Sequence, residues 1–186
     1  MKKVLAWALG STLLFACSNP KSADEKAAST GDTTAAAPTK PQPIEFADAK
    51  YTEIGKKHLA DMTSGDIDSW MTGFADNAVY VWNNFDSLGG KAAISAYWKK
   101  RRKDVIDSIS FSNEIWLPLK VNQPQATEQT GIWLLSWYVV RSKYKTGKSV
   151  AEGIHTDFHF DANDKIDRVV QYLDRAPINA ATKKKG

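Results

Sequence analysis

The chain of 186 residues holds one cysteine, Cys17, and three histidines. A lone thiol excludes an internal disulfide and any cysteine-rich metal or redox framework. No apolar run reaches the roughly 20 residues that a membrane-spanning helix needs, and the opening run from Val4 to Ala16 is too short. There is no Gly-rich phosphate loop, no zinc-ligand spacing and no Ser-His-Asp order. Charge of one sign is also scarce. The 25 Lys+Arg face 21 Asp+Glu, and without Lys2 and Lys3 the balance is 23 against 21. Nucleic-acid binding is not indicated, and no cofactor or metal is implied.

What is present begins with Lys2, Lys3, the apolar run and small residues before Cys17, which together make a secretory signal. Leu14-Phe15-Ala16-Cys17 resembles the lipobox of bacterial lipoproteins, whose cysteine is acylated and becomes the first mature residue. The resemblance implies a signal peptide over 1–16 and attachment to a lipid bilayer through Cys17. Ser18, where Asp is absent, resembles the pattern sorted to the outer membrane. The expected location is therefore lipid-anchored in the cell envelope, at the outer membrane and facing the periplasm. From Ser18 to Pro43 there is no large apolar residue, so 17–43 reads as the lipidated cysteine and a disordered tether.

All tryptophans but Trp7 fall in the next segment, 44–178, which has the size of one ordinary domain. Residues 179–186 read as a basic tail. Tyr51, Ile54, Gly55, His58, Leu59 and Met62 follow helical spacing, predicting a helix over about 46–63. Ser64-Gly65 ends it, and Asp66 caps a short second helix through Trp70 and Phe74. Ala78 to Trp82 is a strand, 83–90 a loop, and 91–103 a third helix. Its closing run Lys99-Lys100-Arg101-Arg102-Lys103 complements the helix dipole. The period then changes to strands over about 107–120, 127–142, 149–160 and 166–174. Helices followed by an antiparallel sheet define an α+β class.

Several phrases resemble the nuclear transport factor 2-like superfamily, which includes SnoaL-like polyketide cyclases and ketosteroid isomerases. They are Ser64-Gly65-Asp66-Ile67-Asp68, Phe74-Ala75-Asp76-Asn77-Ala78, Gly90-Lys91-Ala92-Ala93-Ile94, the run Phe158 to Ile166, and Gln171-Tyr172-Leu173-Asp174. The likeness implies a cone-shaped curved antiparallel sheet wrapped around the N-terminal helices (a cystatin-like cone), with an apolar pocket at its open end. It does not supply a function. Carried over position by position, the isomerase tyrosine falls on His58. The general-base aspartate falls on Trp82, with Asn83 and Asn84 beside it, and the oxyanion-hole aspartate falls on Thr156. All three differ, so steroid isomerase chemistry is not expected.

If Thr156 faces the pocket, so do Glu152, Ile154 and Phe158 on the same strand. A two-residue Thr146-Gly147 turn would set Trp137 opposite Thr156 and Leu135 opposite Phe158. The expected pocket is then His58, Trp82, Asn84, Trp98, Trp137, Glu152, Thr156 and Phe158. These aromatics either line an open pocket or fill the cone as core. His155, Asp157 and His159 alternate on the opposite face, and the two imidazoles stand about 13 Å apart, too far to share one ion. On this register the outer face carries Leu134, Ser136, Tyr138 and Val140. Apolar residues on both faces of one strand predict a cover, and a homodimer through those residues would supply it.

Three functions stay open. The first is a membrane-anchored, exported domain that binds a small apolar or aromatic molecule without turning it over. The second is an interaction module working through its sheet face. The third is a SnoaL-like hydrolase, cyclase or isomerase using His58 or Glu152 as base. Lack of a placed carboxylate base ranks catalysis last.

Overall fold

The computed structural model describes residues 42–124 and 129–183. The signal peptide, Cys17 and nearly all of the tether lie outside them. So do residues 127 and 128, expected at the start of the second long strand, and residues 184–186 of the basic tail. Strand β1 (Ile44–Phe46) leads into α1 (Lys50–Ser64), α2 (Ile67–Met71), β2 (Phe74–Trp82), β3 (Ser87–Gly89) and α3 (Lys91–Asp104). The long strands β4 (Ile106–Val121), β5 (Gly131–Tyr144), β6 (Ser149–Phe160) and β7 (Ile166–Tyr172) follow, and α4 (Arg175–Thr182) closes the chain. They form one seven-stranded sheet in the order β1-β4-β5-β6-β7-β2-β3. The architecture is the expected α+β one, with helices against the concave face of a curved, open sheet. The sheet is mixed rather than purely antiparallel, because β2 pairs with β7 in parallel.

The helical periods place the core. Tyr51, Gly55, His58, Leu59 and Met62 form the buried stripe of α1. Gly65 ends that helix in the left-handed conformation, with φ 82°, and Asp66 caps α2 by accepting from Ser69 N–H. Helix α1 begins at Lys50, later than its periodicity suggests, because Ile44–Phe46 pair with Leu119–Val121 instead. It presses directly on β4 and β5: a Cβ on Gly55 would lie 2.6 Å from Trp116 and 2.7 Å from Leu134. Only glycine permits that approach.

Two sequence expectations are corrected here. The β5–β6 turn has three residues, not two. Tyr144 N–H donates to Lys148 O at 2.8 Å, Gly147 N–H donates to Tyr144 O at 2.8 Å, and Gly147 has φ 83°. Trp137 therefore pairs with His155, and Ser136 with Thr156. A slip of one residue moves every side chain to the other face. Leu134, Ser136, Tyr138 and Val140 are consequently buried on the inner face, not placed at an outer seam. Trp133, Leu135, Trp137 and Val139 point outward.

The second correction is the boundary at 178. Helix α4 continues to Thr182 and buries Ala181. Thr146 Oγ1 donates to Ala181 O at 2.6 Å and Lys148 Nζ to Ala180 O at 2.8 Å, so the β5–β6 turn clasps its C-terminal end. Among the described residues, no helix is long and apolar enough to cross a membrane.

Candidate functional site

Between the concave sheet face and the helices lies a partly open cavity of about 170 Å³. His58, Trp82, Trp98, Glu152, Thr156 and Phe158 all line it. The three positions that replace isomerase residues, His58, Trp82 and Thr156, thus meet at one site. Two expected residues do not. Trp137 follows the register slip to the outer face, where it is 38% exposed. Asn84 sits in the exposed turn after β2, where its side-chain amide donates to Asp86 at 2.7 Å.

His58 projects from α1 among the rings of Trp70, Phe74 and Phe158, at centroid distances of 4.8, 5.3 and 5.2 Å. Its Nε2 accepts the Trp70 indole N–H at 2.8 Å. The neutral ring then carries its proton on Nδ1, and its one basic lone pair is already engaged. Burial, helped by the Lys57 charge, holds its pKa down from 6.5 to about 3. His58 is therefore neutral at ordinary pH and cannot take a proton without losing its indole partner. It is a packing residue, not a base.

The same displacement predicts a pH effect on stability. Between about pH 6.5 and 3 the unfolded chain takes up a proton that folded His58 refuses. This stability is fully present above pH 6.5 and declines as pH falls, by about 1.4 kcal/mol per unit. Urea unfolding at pH 7 and pH 4.5 should show a loss roughly 3 kcal/mol larger in the wild type than in His58→Gln, whose amide can still accept from Trp70. Equal losses in the two proteins would refute this account.

On the facing strands, Thr156 Oγ1 lies 2.7 Å from the Tyr138 hydroxyl. Gln171 Nε2 approaches the same oxygen at 3.4 Å. Burial pushes the Tyr138 pKa up to about 12. Glu152 has its pKa raised by burial and by the nearby Asp174 charge, and its Oε2 is buried without a hydrogen-bond partner.

Two arginines reach the walls. The Arg175 guanidinium lies 5.1 Å from the Trp82 ring and 3.0 Å from Asp86. The Arg101 guanidinium lies 5.6 Å from the Tyr97 ring and 5.9 Å from Trp98. Sequence reasoning missed Trp70, Tyr80, Tyr97, Arg101, Tyr138 and Arg175 as pocket residues. Arg101 sits in a basic helix end, which by itself signals only dipole complementarity.

Outside the cavity, His159 lies against Asp167 at 2.5 Å and the Thr130 carbonyl at 3.0 Å. His155 contacts the Ser136 carbonyl at 3.0 Å and Asp157 at 2.9 Å. His155 and Asp157 thus contact each other, while His159 is held by a different carboxylate, Asp167.

No family model and no curated protein sequence matches the chain. Solved structures do. An isomerase candidate from Bacillus subtilis is 20% identical with TM-score 0.56, over 71% of this chain and 91% of its own. A polyketide cyclase candidate from Xanthomonas campestris is 16% identical with TM-score 0.57, over 71% and 96%. A protein of ketosteroid isomerase-like fold from Catenulispora acidiphila, in complex with trimethylamine, is 15% identical with TM-score 0.53, over 70% and 92%. The fold is that of the nuclear transport factor 2-like and ketosteroid isomerase-like proteins. At these identities the likeness establishes the fold, and the site must speak for the function.

Proposed function

We propose that the protein is a lipid-anchored, exported binding domain that holds a small apolar or aromatic molecule in its cone without catalysis. The observation that carries this reading is an aromatic-walled cavity whose only histidine is locked as an acceptor for Trp70. Dry cavities of roughly 150 Å³ take up benzene, whereas drug-sized ligands occupy roughly 300–1,000 Å³. A cavity of about 170 Å³ suits a single ring with a short substituent, not a steroid. The Catenulispora neighbour, which holds trimethylamine, is an example of this fold with a small organic guest. Toluene added to the full-length Cys17→Ala chain should quench its tryptophan fluorescence saturably, with Kd below about 1 mM. A linear, unsaturable response would sink the proposal.

The anchor is the second part of the reading. Acylated Cys17 and the tether through residue 43 hold the domain at the periplasmic side of the outer membrane. Supporting it are the lone cysteine and the short apolar run before it. Cys17→Ala should move the protein from the membrane to the soluble fraction, and continued membrane retention would overturn the anchor.

A homodimer through the outer sheet face is also proposed, on a seam different from the one the sequence suggested. In register across β4, β5, β6 and β7 lie Ile115, Trp137, His155 and Tyr172. Catalysis remains the alternative, with Glu152 as its one remaining base.

A further inference from the structure

We infer that the ligand is a small aromatic acid, whose carboxylate is received by Trp98 Nε1 and the Arg101 guanidinium on one wall of the cavity. This deepens the binding function proposed above and rests on it. Trp98 and Arg101 stand three residues apart on α3, so their side chains leave the same helix face one above the other. Both line the cavity. Trp98 Nε1 and Arg101 Nε are each buried with no hydrogen-bond partner. A buried N–H without an acceptor is unfavourable, and two of them on neighbouring side chains of one wall call for acceptor oxygens from a ligand. Both atoms are sealed from water, so the ligand's oxygens reach them only as the Trp98 and Arg101 side chains turn toward it.

The charges on the walls select the sign of that group. Arg175 has Asp86 as its counter-ion. Arg101 has no ion-pair partner among the described residues, so one guanidinium charge is left for the ligand. Glu152 is the single acidic side chain on the walls. Burial and the Asp174 charge raise its pKa, so its carboxyl opposes the Arg101 charge less firmly than a solvated one would. Guanidinium matches the two oxygens of a carboxylate, and the bond is stronger for being charge-assisted. Trp82, Tyr97 and Tyr80 supply flat surfaces for the ring.

The test uses the full-length Cys17→Ala chain and four probes of similar body: toluene, phenylacetate, phenylacetamide and 2-phenylethylamine. Phenylacetate should bind about tenfold or more tighter than the amide, and the amine weakest. Arg101→Met, which keeps a stem to pack on Trp98, should abolish the preference, so that the ratio of phenylacetate to phenylacetamide affinity falls to about one. Arg101→Lys should restore part of the preference, and Trp98→Phe should narrow the ratio of phenylacetate to phenylacetamide affinity. Equal binding of acid, amide and amine, or preference for the amine, overturns the acid assignment and leaves the pocket standing. Failure of toluene to bind the unsubstituted pocket overturns the binding function itself.

Discussion

Tyr138→Glu should unfold the protein, not merely separate two copies of it. The residue is buried on the inner face of β5, with its hydroxyl 2.7 Å from Thr156 Oγ1 and its ring against Phe111 at 5.4 Å. Removing a large buried aromatic costs roughly 3–5 kcal/mol. An unpaired carboxylate in its place costs several more. Against a typical stability of roughly 5–15 kcal/mol, most or all of the fold is lost. Thermal and urea unfolding followed by circular dichroism would show a collapsed transition. A stable, monomeric Tyr138→Glu protein would instead put Tyr138 on an outer surface and refute the register.

The adjacent substitution, Trp137→Glu, should do the opposite. Trp137 stacks on His155 at 4.5 Å with 25° between the rings, and His155 stacks on Tyr172 at 5.5 Å and 27°. Ile115, Trp137 and Tyr172 are 62%, 38% and 47% exposed in the single chain. Each large apolar side chain left in water forgoes roughly 1.5–3 kcal/mol relative to burial. Pairing two such rows across copies would recover much of that. In Trp137→Glu each copy would bring a carboxylate to the seam, so sedimentation should give folded monomers where the wild type gives dimers. A wild-type monomer at tens of micromolar would end the dimer proposal. The two substitutions, one residue apart on β5, thus separate a core role from a surface role.

Much of the fold was legible because helical stripes and caps act locally. The α1 stripe, the Gly65 stop and the Asp66 cap follow from spacing and turn chemistry alone. The pocket positions on β6 were legible because one strand alternates strictly, so placing Thr156 placed Glu152, Ile154 and Phe158. Strand β5 defeated the same reasoning. Thr146-Gly147 accommodates a two- or a three-residue turn, each with glycine at positive φ, and nothing local chooses between them. Nor could β5 correct the error, since Trp133, Leu135, Trp137 and Val139 are as apolar as Leu134, Tyr138 and Val140. Helix α4 had a signal that went unused: Asp174 caps it and Pro177 lies in its first turn. Arg101 had none, because its pocket role depends on how α3 docks, a tertiary fact.

The parallel pairing of β2 with β7 has a kinetic consequence. Strand β2 leaves synthesis early, yet its partner on one edge is the last strand of the sheet, with Phe74 opposite Ile166 and Trp82 opposite Gln171. Helices α1 to α3 can form from neighbouring residues, but the cone cannot close until almost the whole chain is available. Closing so long a loop makes folding slow compared with helix formation. For the exported chain proposed here, that delay keeps the polypeptide extended enough to be threaded across a membrane before it folds. The drawback is an uncovered edge on β2 during the interval, a site where two unfinished copies could pair wrongly.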